Sequence, residues 1–248
     1  AEFDEQTHNF VIVMEDLSPA VPGDQLAGCS VTDAELAIAQ LAHLHGPRWG
    51  DQSLIDRILI KDQGKAVGSI KALYDMLSAA FLERYTASLN EDEKVMVQQV
   101  GENLVAYESG YQGKLTLVHA DYRLDNMMFG GPYPIAIVDW QTYQMGCPMH
   151  DAAYFLGTSL TSDLRATSET ALIQTYHQGL SQYDVDLDWD TCWHYYKHYA
   201  PAGLIMAVIA SMIVGQTDRG DEMFMAMAKR SARMCADLSS IQVIQSGV

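Results

Sequence analysis

Residues 117–129 read LVHADYRLDNMMF and set His119, Asp121, Asp125 and Asn126 between two apolar runs. Asp139 follows near the end of a second apolar run, IAIVDW, at 135–140. Residues 127–129, the turn GGPYP and residues 135–140 have the pattern of a hairpin. With Phe129 facing Ala136, Asn126 faces Asp139. Side chains directly opposite on antiparallel strands stand about 4.5–5.5 Å apart at Cβ. An amide oxygen and a carboxylate at that spacing can share one hard cation. Mg2+ takes oxygen ligands and keeps several waters, so phosphate oxygens would complete its shell. Asp121, on the loop entering the hairpin, is placed to take a proton from a hydroxyl beside the metal. A base, an amide and a metal carboxylate are the parts that phosphoryl transfer from a nucleotide requires. The competing account is that an Asp- and Asn-rich loop satisfies its own backbone. Asp125 reads as a turn-forming or solvated residue. Arg123 reads as a substrate contact or as half of an ion pair with a nearby acid.

The elements around this loop are mostly helical. Residues 9–17, NFVIVMEDL, read as a buried strand ending in a polar turn. From Thr32 the period becomes helical, with Thr32 and Glu35 as a capping box and a stop near His45-Gly46-Pro47. Residues 66–88 continue that pattern. Asn90 and Glu93 open a further helix that runs to about Tyr107. LTLVH, at 115–119, is a short strand. Helices follow at 151–160, 166–183, 189–215 with a break near Pro201, and 220–238. The fold class is α+β, mostly α: a helical body with a small β insert that carries the polar cluster.

Composition sets bounds on the partners. The chain has 248 residues, 48% of them hydrophobic, and a net charge of −17. It can bury a full core. A surface that acidic repels a phosphate backbone and anionic lipid, so no nucleic acid and no membrane are expected as partners. It suits a cationic substrate. Cys29, Cys147, Cys192 and Cys235 are scattered without metal spacing, and no signal peptide is expected. Reduced cysteines and a cytoplasmic location follow as expectations. His194 and His198, at i and i+4, could bind zinc, but Trp193, Tyr195 and Tyr196 favour a packed helix.

Asp-x4-Asn followed by a strand-borne Asp resembles the catalytic and metal loops of the protein-kinase-like superfamily. HADYRLDN and IVDWQ, with Ala120 after the histidine and Trp140-Gln141 after Asp139, look like the aminoglycoside phosphotransferase and choline-kinase-like branch. That branch includes the ecdysteroid-kinase-like proteins and shows HGDxxxxN and a DW pair. VMEDL (13–17) resembles its last N-lobe strand and hinge. GDQL (23–26) and LAHLHG (41–46) resemble the segment after the hinge. GCPMHD (146–151) resembles the stretch whose Asp braces the catalytic loop.

The resemblance implies a protein-kinase-like C-terminal lobe and a role for each matching residue. Asp121 would be the catalytic base, with His119, Arg123 and Asp151 supporting its loop. Asn126 and Asp139 would bind Mg2+. Glu15, Asp16 and Leu17 would meet the base of ATP or GTP. The acceptor would be a hydroxyl of a small molecule, and a protein-kinase role is disfavoured because no Ala-Pro-Glu motif is present. The chain departs from the family in its first part. It holds no GxGxxG, and residues 1–17 match only the last N-lobe strand and hinge, with 18–248 as the helical C-terminal lobe. The N-terminal lobe is therefore expected to be largely absent, which leaves open a non-catalytic kinase-like binding module. The apolar strand at 9–13 is expected to support self-association.

Overall fold

The computed structural model describes residues 1–57 and 63–247, the side chains of 63–69 excepted. It opens with β1 (Glu2–Phe3), β2 (Phe10–Val11) and β3 (Val21–Pro22), followed by α1 (Val31–His45), α2 (Gln52–Ile55), α3 (Gln63–Arg84) and α4 (Glu91–Ser109). The β insert comprises β4 (Thr116–Val118), β5 (Met127–Phe129), β6 (Ile135–Ile137) and β7 (Gln144–Gly146). The remaining helices are α5 (Pro148–Ser159), α6 (Ser162–Leu180), α7 (Trp189–His198), α8 (Ala202–Ile213), α9 (Asp218–Asp237) and α10 (Ser240–Ser246). The α+β, mostly α class read from the sequence is the class observed.

The local signals account for most helix ends. Asn90 and Glu93 form a reciprocal capping box at α4. The α7 helix stops at His198 and α8 begins after Pro201, where proline cannot continue the ladder. The start of α1 is a correction. Ser30, not Thr32, is the cap, its hydroxyl accepting from the Asp33 backbone N–H and donating to the Asp33 carboxylate. Both residue types cap well, and the β-conformation of Ser30 decides between them.

The α5 helix is the hub. Every residue of it except His150 is buried, and it packs against α1, α6, α7, α8, α9 and β4. Small residues let its neighbours come close. A Cβ added at Gly203 of α8 would lie 2.3 Å from Ser231 Oγ and 2.4 Å from Thr158 Cγ2. One at Gly157 would lie 2.7 Å from Met234 Sδ.

The strands of the β insert lie in two small antiparallel sheets, β4-β7 and, joined by β3 from the first part of the chain, β3-β5-β6. The register pairs Met127 with Ile137, Met128 with Ala136 and Phe129 with Ile135. This corrects the expected pairing of Phe129 with Ala136 by one residue. The turn carries Gly130 at φ +73 and closes by a bond from Gly130 N–H to Pro134 O at 3.3 Å, and that closure sets the register.

The first strand is a second correction. Only Phe10–Val11 is strand, paired with Glu2–Phe3, and the run from Phe10 to Met14 is exposed, Val13 at 84% and Met14 at 79%. The apolar pattern looks like a buried strand, yet among the described residues no element of the body covers it. Such an edge is the feature on which self-association would depend. Among the described residues no helix is long and apolar enough to cross a membrane.

Gly203→Ala should destabilise the fold by about 1–3 kcal/mol, because its methyl group must displace Ser231 or Thr158 in a packed core. Urea unfolding should show a lower midpoint at unchanged slope. An unchanged midpoint would mean that α8 and α9 part without cost.

Candidate active site

The loop from β4 to β5 turns sharply at Ala120, whose φ is +65. A residue with a Cβ sits in that left-handed region at a cost of about 1–2 kcal/mol. The Asp151 carboxylate holds the turn. Its Oδ2 accepts from His119 N–H at 2.7 Å and its Oδ1 from Ala120 N–H at 2.9 Å. Asp151 is fully buried in the first turn of α5, where the helix dipole favours an anion. His45, at the end of α1, places Nε2 3.4 Å from Asp151 Oδ2, and its Nδ1 lies 2.9 Å from Tyr176 Oη. Burial alone would raise the Asp151 pKa. The imidazoles of His150, whose Nδ1 lies 3.6 Å from Asp151 Oδ1, and of His45 outweigh it and hold the carboxyl well below the ordinary range.

His119 is equally buried. Its Nδ1 accepts from Asp121 N–H at 3.3 Å and its Nε2 lies 3.0 Å from Val138 O, so the proton is assigned to Nε2. The ring packs against Trp140 at 4.8 Å between centroids. Thr142 Oγ1 donates to His119 O at 2.8 Å. His119 thereby ties the loop to β6 and the turn after it.

Asp121 is the convergence point. Its Oδ1 accepts from Tyr154 Oη at 2.9 Å and from Arg123 Nε at 3.1 Å, and its Oδ2 accepts from Asn126 Nδ2 at 2.9 Å. The side chain keeps 18% of its surface exposed. Arg123 NH1 reaches Asp125 Oδ2 at 3.2 Å and Met223 Sδ of α9 at 3.2 Å. Arg123 is therefore ion-paired on both sides, and Asp125 is a partner of Arg123 and not a free solvated acid.

Asn126 and Asp139 are not the cross-strand pair that the sequence suggested. Asn126 O accepts from Val138 N–H at 2.9 Å, so Val138 stands opposite Asn126 and Asp139 lies one residue past the ladder. Asp139 has φ 60 and ψ 63 and is exposed. Its left-handed backbone, and not the pleat of a strand, aims its carboxylate. That carboxylate receives Gln141 Nε2 at 3.3 Å.

The donor types fit Mg2+. Asn126 Nδ2 is engaged by Asp121, which leaves the amide oxygen as the coordinating atom, and Asp139 offers an exposed carboxylate. Among the described residues no group of three or more His, Cys, Asp or Glu could hold a metal. Phosphate oxygens and water would have to complete the shell. For a nucleotide base, Glu15 and Asp16 lie exposed beside the β5–β6 turn, tied to it by Tyr133 Oη on both Glu15 oxygens at 3.1 Å. Asp16 accepts from Ser18 N–H, and Leu17 O from Ala20 N–H. His194 and His198 form no metal pair. His198 Nε2 is directed to Tyr107 O at 2.8 Å, and the two rings stack 6.4 Å apart.

Two residues at the site carried no role in the sequence reading. Tyr154, one helical turn after Asp151, bonds Asp121. Gln25, within GDQL, accepts Leu124 N–H on Oε1 at 2.9 Å. The spacing of Asp151 and Tyr154 on one helix was the available signal for the first. Nothing local marked the second, because its partners are distant in the chain.

An α+β body with three small sheets among the described residues, and a buried Asp anchoring a loop that joins Asp121 to Asn126, defines a kinase-like phosphotransferase fold. The model of the ecdysteroid kinase-like family matches residues 54–188, more than half of the chain, and the chain belongs to that family. Acyl-CoA dehydrogenase family member 11 of Homo sapiens and of Pongo abelii is 32% identical over 82 residues, 31% of this chain and 10% of theirs. The match thus spans about a tenth of the length of those curated relatives. Three solved structures are similar at low level. Aminoglycoside phosphotransferase APH(2'')-Ib bound to ADP has TM-score 0.41 and 16% identity over 87% of this chain and 69% of that one. Spectinomycin phosphotransferase APH(9)-Ia with ADP and spectinomycin has 0.44 and 14% over 92% and 68%. An aminoglycoside phosphotransferase-like protein of Ralstonia eutropha JMP134 has 0.42 and 16% over 96% and 72%. Scores at this level establish no shared activity.

Asp151 yields a pH prediction. Its pKa is depressed in the fold, so its contribution is complete above the unfolded value of about 3.9 and is lost as pH falls below it. Asp151→Asn should lower stability at pH 7 by about 2–4 kcal/mol, since the amide meets two N–H donors with one oxygen. It should also flatten the acid limb below about pH 4. Denaturant titrations at several pH values check both, and an acid limb as steep as that of the unsubstituted chain would assign the slope to other acids.

Proposed function

We propose that this chain carries the catalytic machinery of a Mg2+-assisted phosphotransferase that uses ATP or GTP and a hydroxyl of a small molecule. The observation that carries the reading is the bond from Asn126 Nδ2 to Asp121 Oδ2 at 2.9 Å, within a loop anchored on a buried carboxylate. It joins a candidate base to a candidate metal ligand in one rigid unit. Residues 1–17 act as the hinge side and 18–248 as the helical lobe.

Each residue has a task in this reading. Asp121 orients the acceptor hydroxyl and takes its proton at Oδ1 or Oδ2. Asn126 and Asp139 supply oxygen atoms to the ion. Bound Mg2+ would neutralise charge on the transferring phosphoryl group. The backbone of Glu15, Asp16 and Leu17 meets the edge of the base. Arg123, Tyr154 and Asn126 fix the Asp121 carboxylate, so the base is oriented before the acceptor arrives. The net charge of −17 favours a cationic acceptor over an anionic one.

A second reading rests on the same carboxylate. Three donors already occupy Asp121, which suits a non-catalytic kinase-like binding module as well as a base. The two separate on turnover. Asp121→Asn should cut phosphoryl transfer by about 10²–10⁴-fold and leave nucleotide affinity within a factor of about two, measured as ATP consumption with a panel of hydroxylated acceptors. Near-normal turnover would remove Asp121 from the role of base.

Asp139→Ala should weaken ADP binding at least about tenfold in the presence of Mg2+ and leave metal-free binding unchanged. Calorimetry in both conditions checks this. Equal losses would mean that Asp139 serves the fold and not the ion.

A further inference from the structure

Asp151 holds the first half of the catalytic loop, His119 and Ala120. The second half, Leu124–Asn126, has no contact with that carboxylate and carries the metal-binding amide. It forms a short 3-10 turn, closed by Asn126 N–H on Arg123 O at 2.9 Å; Leu124 packs into the core and Arg219 of α9 stands 3.8 Å from Asp125 Oδ1, but neither engages the backbone of the turn.

Gln25 makes that connection. The residue is fully buried, and every polar atom of it is engaged. Its side-chain oxygen accepts Leu124 N–H at 2.9 Å, and its Nε2 donates to Thr158 O, at the end of α5, at 2.8 Å. Its backbone N–H donates to Asp125 Oδ1 at 3.1 Å. Its carbonyl accepts from Arg230 NH1 of α9 at 2.8 Å. Arg230 NH1 also reaches Thr158 O at 2.8 Å, and NH2 reaches Leu26 O at 2.7 Å. No carboxylate lies within ion-pair distance of Arg230 among the described residues, so its guanidinium serves three carbonyls.

The surroundings leave this clamp little play. A Cβ at Gly23 would lie 2.6 Å from Leu124 O, and Gly23 N–H bonds Met127 O at 2.9 Å. The segment 23–26 is thus pressed against residues 124–127 by backbone contact as well as by the Gln25 amide.

We propose that Gln25 is a positioning residue of the active site. It sets the Leu124–Asn126 turn, and with it the Asn126 amide against Asp121, by pinning that turn to the end of α5. Arg230 holds Gln25 in place from α9. A glutamine suits the task because it must accept from Leu124 N–H and donate to Thr158 O at once. Its consequence for metal binding rests on the phosphotransferase reading; the clamp itself does not.

Gln25→Met keeps length and volume and removes both side-chain bonds. Gln25→Glu keeps the acceptor for Leu124 N–H and removes the donor. Amide hydrogen exchange at residues 124–127 should rise at least about tenfold in Gln25→Met and by a smaller factor in Gln25→Glu, which keeps one of the two side-chain bonds. ADP affinity with Mg2+ should fall about 10–100-fold in Gln25→Met, with metal-free ADP affinity unchanged and partial recovery in Gln25→Glu. Unchanged exchange in Gln25→Met would overturn the proposal. So would equal losses with and without Mg2+, which would leave Gln25 a residue of the fold alone. Should Gln25→Met fail to fold, Gln25→Glu decides: faster exchange at residues 124–127 with weakened Mg2+-dependent affinity supports the clamp, and exchange and affinity both unchanged from the unsubstituted chain overturn it. An unsubstituted chain that binds ADP in neither condition would defeat the phosphotransferase reading and, with it, the metal-positioning role, whatever the exchange rates show.

Discussion

The structure depends on one buried carboxylate. Asp151 sits without solvent contact at the start of the most buried helix and accepts two consecutive backbone N–H groups from the loop that carries Asp121. Consecutive amides point the same way only where the backbone leaves the strand conformation, and the left-handed Ala120 is where it does so. The strain at Ala120 and the anion at Asp151 are therefore one device. An uncompensated buried charge costs several kcal/mol, so the loop and the helix must stay together.

Around that anchor the site is arranged as a chain of held groups. Asp151 holds His119 and Ala120, and His119 holds Asp121 N–H and Val138 O. Asp121 receives Arg123, Tyr154 and Asn126. Tyr154 and Asp151 lie one turn apart on α5, so a single rigid helix fixes both the loop backbone and the candidate base. Sites built on a packed helix are more exact than sites carried by loops alone. The close approach of α8 and α9 at Gly203 and Ser231 packs both against the end of that helix at Gly157 and Thr158.

Charge at the site alternates. Arg123 lies between Asp121 and Asp125, and Arg219 stands 3.8 Å from both Asp24 and Asp125. The guanidinium groups thus stand between neighbouring carboxylates and balance their charge. The exposed apolar stretch from Phe10 to Met14 is a different kind of feature, a surface patterned for cover that the body of the chain does not give it.

The sequence by itself marked the loop residues of the candidate site and most of the framework. Asp121, Asn126, Asp139 and Asp151 stood out because their spacing matched a known order. The helices were legible because caps and apolar stripes are local, as at Asn90 and Glu93. Tertiary structure decided what depends on distant neighbours. The hairpin register slipped by one because the turn closure at Gly130 and Pro134 sets it, and the apolar pattern of residues 127–137 fits either pairing. The strand at 9–17 shrank to Phe10–Val11 because a strand exists only where another pairs with it. Gln25 and Tyr154 became site residues only when folding brought them to Leu124 and Asp121, since a hydrogen bond across the chain leaves no mark in local spacing.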